Sequence, residues 1–205
     1  MRLSAVLFAA MTVLWSSTGI AQGWFEYVSR DDRFGVNFPS EPQIESFEYT
    51  SEFDAIFPAR VYRADRGSDQ FSVTVVDFTD AQRIHAAMNK TEAASGSNVW
   101  INDQRASVAR AARQLRQRGG EVTYDAWSHI DLVEGHQLQI SNEDGTRTYA
   151  GMYYNGDSRR LYVLEATVSR RSPPAGQFQQ SLRFLDEDGN RVRYVLSPNG
   201  CSVRP

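Results

Sequence analysis

The sequence predicts an α+β domain, a mostly antiparallel sheet with helices packed on it. Three observations carry this: period-two alternation in several early segments, a switch to helical periodicity between residues 80 and 118, and a return to evenly spaced strand segments with glycine in each turn. No linker-like break in composition separates these regions, so one domain accounts for them.

The elements follow in order. Phe34, Val36 and Phe38 alternate with Gly35 and Asn37, the period of a strand. Pro39 and Pro42 end that strand, because proline has no N–H to give a ladder. Ile44 to Thr50 has strand character. Arg60 to Asp65 and Gln70 to Phe78 flank Arg66-Gly67-Ser68-Asp69, a hairpin signal, and the second arm is rich in β-branched residues. Asp80 is placed to cap a short helix through Met88, and Lys90 to Asn98 reads as a polar loop. Asp103 is placed to cap a second helix reaching Arg118, where Gly119-Gly120 stops it. Val108, Ala111, Ala112 and Leu115 share one face of that helix; Arg105, Arg113 and Arg116 share another. Val122–Ile130, His136–Ile140, Arg147–Tyr154 and Arg160–Thr167 then form a meander, with turns at Glu134-Gly135, Glu143-Asp144-Gly145 and Asn155-Gly156-Asp157-Ser158. Pro173-Pro174 opens a last helix with Phe178, Ser181 and Leu182 inward, and Val192 to Leu196 closes as a short strand.

The N-terminus reads as an address. Arg2 precedes an uncharged apolar run from Leu3 to Trp15, then a small polar stretch with Gly19 and Ala21 at the positions a signal peptidase reads. The run falls short of the roughly 20 apolar residues of a spanning helix. The expected organisation is therefore a signal peptide over 1–21 cleaved near Ala21, a single domain over 22–196 and a flexible tail over 197–205. The expected location is periplasmic or secreted, with no transmembrane segment after cleavage. The single cysteine, Cys201, permits no intramolecular disulfide, and the formal net charge of -3 does not fit a nucleic-acid binder.

Two stretches carry a resemblance. Trp24 with FEYVSRDDRFGVNFPSEP gives an aromatic strand, a polar turn, a Phe-x-Val-x-Phe-Pro strand and a second proline; RRLYVLEATVSRRSPPAGQFQQSLRFL gives a strand, a loop and a Phe-x-x-Ser-Leu helix. Together they resemble the PsbP-like and Mog1-like proteins. The resemblance covers about a third of the mature chain, and its motifs are packing and turn motifs. It implies that fold, and it implies a binding or assembly factor, since the characterised members are photosystem accessory proteins and a regulator of a small GTPase. It carries over no catalytic residue.

The chemistry in the residues themselves is sparse. The histidines, His85, His129 and His136, show neither His-x-His nor the i,i+4 helical spacing of a zinc site. His129 and His136 meet across the predicted hairpin with Asp131 and Glu134 between them, which makes them the candidate metal ligands; two partly exposed strand residues are the plainer reading. Ser128-His129 with Asp131 invites a hydrolase, but neighbours on a strand point to opposite faces and there is no Gly-x-Ser-x-Gly. No catalytic residue is assigned and no cofactor is implied. Arg105, Arg113 and Arg116 form a candidate surface for an envelope protein or another anionic surface, against the plainer reading of a solvated face. Asp186-Glu187-Asp188-Gly189-Asn190 reads as a β-turn and not a calcium loop, because Gly189 comes too early. The strand aromatics, Trp127 among them, read as sheet packing. The expected function is an exported, non-enzymatic binding or assembly module of the cell envelope; the alternative is a periplasmic hydrolase or metal-dependent enzyme built on the His129–His136 region.

Overall fold

The structure is a computed structural model that describes residues 23–88 and 98–204. The signal segment, its cleavage point and the polar loop expected from Lys90 lie outside the described residues.

Twelve strands and three helices occur among the described residues. The strands are β1 (Phe25–Ser29), β2 (Phe34–Phe38), β3 (Gln43–Thr50), β4 (Ile56–Arg66), β5 (Asp69–Asp77), β6 (Glu121–Ile130), β7 (Val133–Ser141), β8 (Arg147–Asn155), β9 (Arg160–Val168), β10 (Arg183–Phe184), β11 (Val195–Leu196) and β12 (Ser202–Val203). The helices are α1 (Ala81–Ala87), α2 (Val99–Arg116) and α3 (Gly176–Gln179). A seven-stranded sheet runs in the order β3-β4-β5-β9-β8-β7-β6, with every neighbouring pair antiparallel. A second sheet, β1-β2-β10, lies against one face of the first.

The expected α+β class is corrected by these proportions. Strand accounts for 48% and helix for 17%, so the fold is dominated by its sheets, with few helices among the described residues. The predicted last helix shrinks to the four residues of α3. The predicted strand from Val192 becomes the two-residue β11, which pairs with β12 and not with the main sheet.

Alternation explains both layers. Phe34, Val36 and Phe38 of β2 point inward and meet Tyr62, Phe71, Val73, Tyr162 and Leu164 of the large sheet, with Phe178 of α3 closing the cluster. Phe71 and Phe178 stack edge to face at 5.3 Å, and Phe34 and Tyr62 at 5.0 Å. On the other face, α2 lays Val108, Ala111, Ala112 and Leu115 across Leu138, Ile140, Ala150, Met152 and Leu161. That stripe is the apolar face the sequence predicts for this helix.

Asp103 does not cap α2. The helix starts four residues earlier, after Asn98, and Asp103 is buried within it. Its Oδ2 accepts from Ser51 Oγ at 2.5 Å and lies 2.9 Å from His85 Nε2, tying α2 to α1 and to the turn after β3. The β6–β7 turn also differs from expectation. It falls at Asp131-Leu132, both at positive φ (47° and 65°), and Glu134-Gly135 lies inside β7. At Asp186 the expected turn forms: its Oδ1 accepts from the backbone N–H of Asp188 and Asn190, and Gly189 takes φ +86°. No helix among the described residues is long and apolar enough to cross a membrane.

Candidate binding site at the outer edge of the sheet

β6 is the outer strand beyond β7, and its register decides which side chains share a face with α2. Val122 pairs with Ile140, but Tyr124 pairs with Gln139, so Thr123 is an extra residue in a β-bulge. The bulge rephases the strand. Asp125 falls opposite Leu138, Trp127 opposite His136 and His129 opposite Glu134, all on the side of α2; Ala126, Ser128 and Ile130 turn to the side of the small sheet.

The last turn of α2 completes the group. Arg116 reaches Asp125 through two bonds, Nε to Oδ2 at 2.7 Å and an Nη to Oδ1 at 2.9 Å, a fork on a carboxylate. Asp125 Oδ1 lies 2.5 Å from His136 Nε2, and an Arg116 Nη lies 3.1 Å from the same nitrogen. A guanidinium has no acceptor, and Nε2 cannot both donate and accept. The closer carboxylate therefore places the proton on Nε2, and Arg116 acts on His136 by charge alone. Desolvation works to raise the Asp125 carboxyl, but the bonds from His136 and Arg116 outweigh it and hold the pKa below the usual carboxylate range.

His136 is buried, and the Trp127 indole meets its ring edge to face at 5.0 Å and 76°. Trp127 itself is 61% exposed. The strand aromatics expected to pack do so elsewhere: Tyr149, Tyr153 and Tyr162 are buried, and Trp24 packs on Phe71. Trp127 is the exception. Its indole touches His136, which links it through Asp125 to Arg116, and most of it is offered to solvent.

The predicted site residues fare differently. Arg116 and His136, read as members of separate sites, are brought together by Asp125. His129 lies on the same face, one step along the strand and exposed. Arg113 does not join Arg116 in an open basic patch: it shares the Glu52 carboxylate with Arg110. Arg105 is exposed farther up α2. For a metal, His136 carries a guanidinium against its Nε2, and no group of three or more His, Cys, Asp or Glu is placed to hold an ion among the described residues. For a hydrolase, Ser128, His129 and Asp131 all border one cleft of about 400 Å³ with Gln137, Gln180 and Leu182, but Ser128 and His129 are strand neighbours on opposite faces of β6, and Asp131 is held by a two-pronged bond from Arg191. The alternation that separates Ser128 from His129 is the one the sequence predicts. Asp125 and Trp127 were missed because the bulge leaves no mark in the residue pattern.

Two adjoining depressions of about 340 and 400 Å³ mark the uncovered part of the same sheet face, and they share Thr74, Arg118 and Glu165. Within them Arg118 pairs with Glu165, and Arg63 reaches Glu45 on the neighbouring strand, each at 2.6 Å. The Trp127 edge has a committed charge network and an uncommitted apolar ring, so it is the better candidate.

No protein-family model matches the chain, and no curated protein is significantly similar to it. A solved structure from Bacteroides thetaiotaomicron VPI-5482, at 1.50 Å resolution, is similar to it with 15% identity and a TM-score of 0.35, over 82% of this chain and 50% of that chain. This chain thus spans about half the length of that protein, and likeness at this level carries no argument about fold or function.

Proposed function

We propose that this chain is an exported, non-enzymatic binding or assembly module of the cell envelope, and that it engages its partner through the Trp127 edge. The observation that carries the reading is the exposed indole set against the buried His136 ring. Ordering a large side chain before contact removes part of the entropic cost of binding, and tryptophan is enriched among residues that dominate interface energy. Export is supported by the residues of the first 21 positions, and the binding role by the resemblance of the two chain segments to PsbP-like and Mog1-like binding factors.

Mild cross-linking in the native host, followed by capture of the tagged protein from the soluble envelope fraction, tests this. A stoichiometric partner should be captured by the natural chain and lost with Trp127→Ala and with Arg116→Glu. Recovery of the tagged protein only in the cytoplasmic fraction sinks the export reading. A partner captured equally well by both variants removes the Trp127 edge from the proposal.

A further inference from the structure

We infer that Trp127 is a stacking platform for the ring of a neutral saccharide, with Arg116, Asp125, His129 and Glu134 as its polar rim. This rests on the reading that the Trp127 edge is a binding surface, and it names the ligand class.

An indole is flat, rigid and negative on its ring faces, so it attracts the weakly positive C–H groups of a ring laid against it. A pyranose has such C–H faces and a rim of hydroxyls, each of which both donates and accepts. A site for it needs a fixed aromatic surface bordered by donors and acceptors in similar number. The β6–β7 edge supplies both. Trp127 is 61% exposed and oriented by its 5.0 Å contact with His136. The register places His129 and Glu134 opposite each other, one step along from the Trp127–His136 pair and on the same face. Both are exposed, and Arg116 and Asp125 lie on the other side, each about a third exposed.

Charge then narrows the class. The rim offers guanidinium and imidazole as donors, and two carboxylates as acceptors. Arg116 already offsets Asp125 at 2.7 Å. With that pair compensated, the charge left on the rim is the Glu134 carboxylate, which an anionic ring would have to approach. A neutral polyhydroxylated ring meets no such repulsion and can use both donors and acceptors. The platform lies at the sheet's outer edge, outside any enclosed cavity, which suits a ring within a longer chain better than a small molecule needing burial.

The test uses the mature protein, beginning at Gln22, labelled for NMR. Its Trp127 indole N–H signal is assigned by its loss in Trp127→Phe. N-acetylglucosamine tetramer, cellotetraose and maltotetraose are titrated in turn to about 10 mM, a range that reports even millimolar affinity. The expected result is a saturable shift of the Trp127 signal with at least one sugar. Affinity should fall at least about tenfold in Trp127→Ala, and less in Trp127→Phe, which keeps a flat ring. Asp125→Asn should weaken binding several-fold while leaving the fold's amide spectrum in place. Stacking on one indole tolerates the differences among these sugars, so no shift with any of them overturns the inference, as does binding that survives Trp127→Ala. A shift only with an oligogalacturonate overturns the claim of neutrality. If the sugars fail while capture of a cross-linked partner still depends on Trp127, the saccharide inference falls and the binding-module reading stands; if Trp127 matters to neither, both fall.

Discussion

Gly135 shows how one residue is visible in a sequence while its reason is not. Between Glu134 and His136 it looks like a turn glycine, yet it sits inside β7 opposite Tyr153. A Cβ there would lie 2.1 Å from Tyr153 Cδ1 and 2.3 Å from the Met152 carbonyl oxygen. The glycine exists so that the Tyr153 ring can lie flat across the strand, where its hydroxyl accepts from Gln137 Nε2 at 2.9 Å. Because one colliding atom is backbone, relaxation of a side chain cannot relieve the clash. Gly135→Ala should destabilise the fold by about 3 kcal/mol, the upper end of overpacking costs, read from a denaturant midpoint; a change near zero would show that the β7–β8 backbone itself gives way. The candidate site was half visible in the same sense. Arg116 and His136 stand out by residue type, but Asp125 and Trp127 join them only because Thr123 bulges, and a strict period of two from Val122 puts both on the wrong face.

Among the elements, the ones with a long repeated pattern were readable and the ones set by a tertiary partner were not. α2 is evident from the spacing of Val108, Ala111, Ala112 and Leu115, and all four are buried as that spacing requires. Its start was not evident, since an Asp before an amphipathic run resembles a cap, and only the fold brings Ser51 and His85 to Asp103. The helical share was overread for a similar reason: Pro173-Pro174 marks a helix start, but α3 stops after one turn, and Phe184 is drawn into the small sheet beside β2. The β6–β7 hairpin gives the element's own test. Its two-residue turn places Leu132 at φ 65°, a conformation that costs a branched side chain about 1 kcal/mol, and its exposed side chain contributes little packing. Leu132→Gly turns the pair into Asp-Gly, the residues this turn favours. It should raise the denaturant midpoint, with a gain of up to about 1 kcal/mol, and leave the Trp127 indole signal unmoved. A loss of stability would mean that the Leu132 side chain does more than its exposure indicates.

Across the whole molecule, the two sheets are joined at one end by a buried polar knot as well as by their apolar faces. Tyr62 of β4 donates to Asp32 Oδ2 at 2.5 Å and lies 3.1 Å from Ser29 Oγ, while Tyr162 of β9 donates to the Asp32 carbonyl at 2.9 Å. Asp32 sits in the β1–β2 turn, so both tyrosines hold the small sheet down on the large one, and Arg60 answers the carboxylate charge at 3.2 Å. Burial first, and then the hydrogen bond to Asp32, push the Tyr62 phenol from the ordinary 10.0 up to about 12. Below pH 10 the phenol is protonated in the folded and unfolded chain alike, and the contribution of the knot is fully present. Between pH 10 and about pH 12 the unfolded chain gives up this proton first, so the folded state binds more protons and loses stability as the pH rises. Burial raises Tyr162 further still, which carries the same trend higher. Denaturant unfolding across this range should therefore show a falling midpoint, with phenolate absorbance from the knot appearing together with unfolding and not before it. Tyr62→Phe should cost about 2 kcal/mol at neutral pH, because it removes a hydrogen bond to a charged group, and should make the alkaline decline shallower. An unchanged slope in that variant would move the alkaline sensitivity to the other buried tyrosines and leave Tyr62 as a packing residue alone.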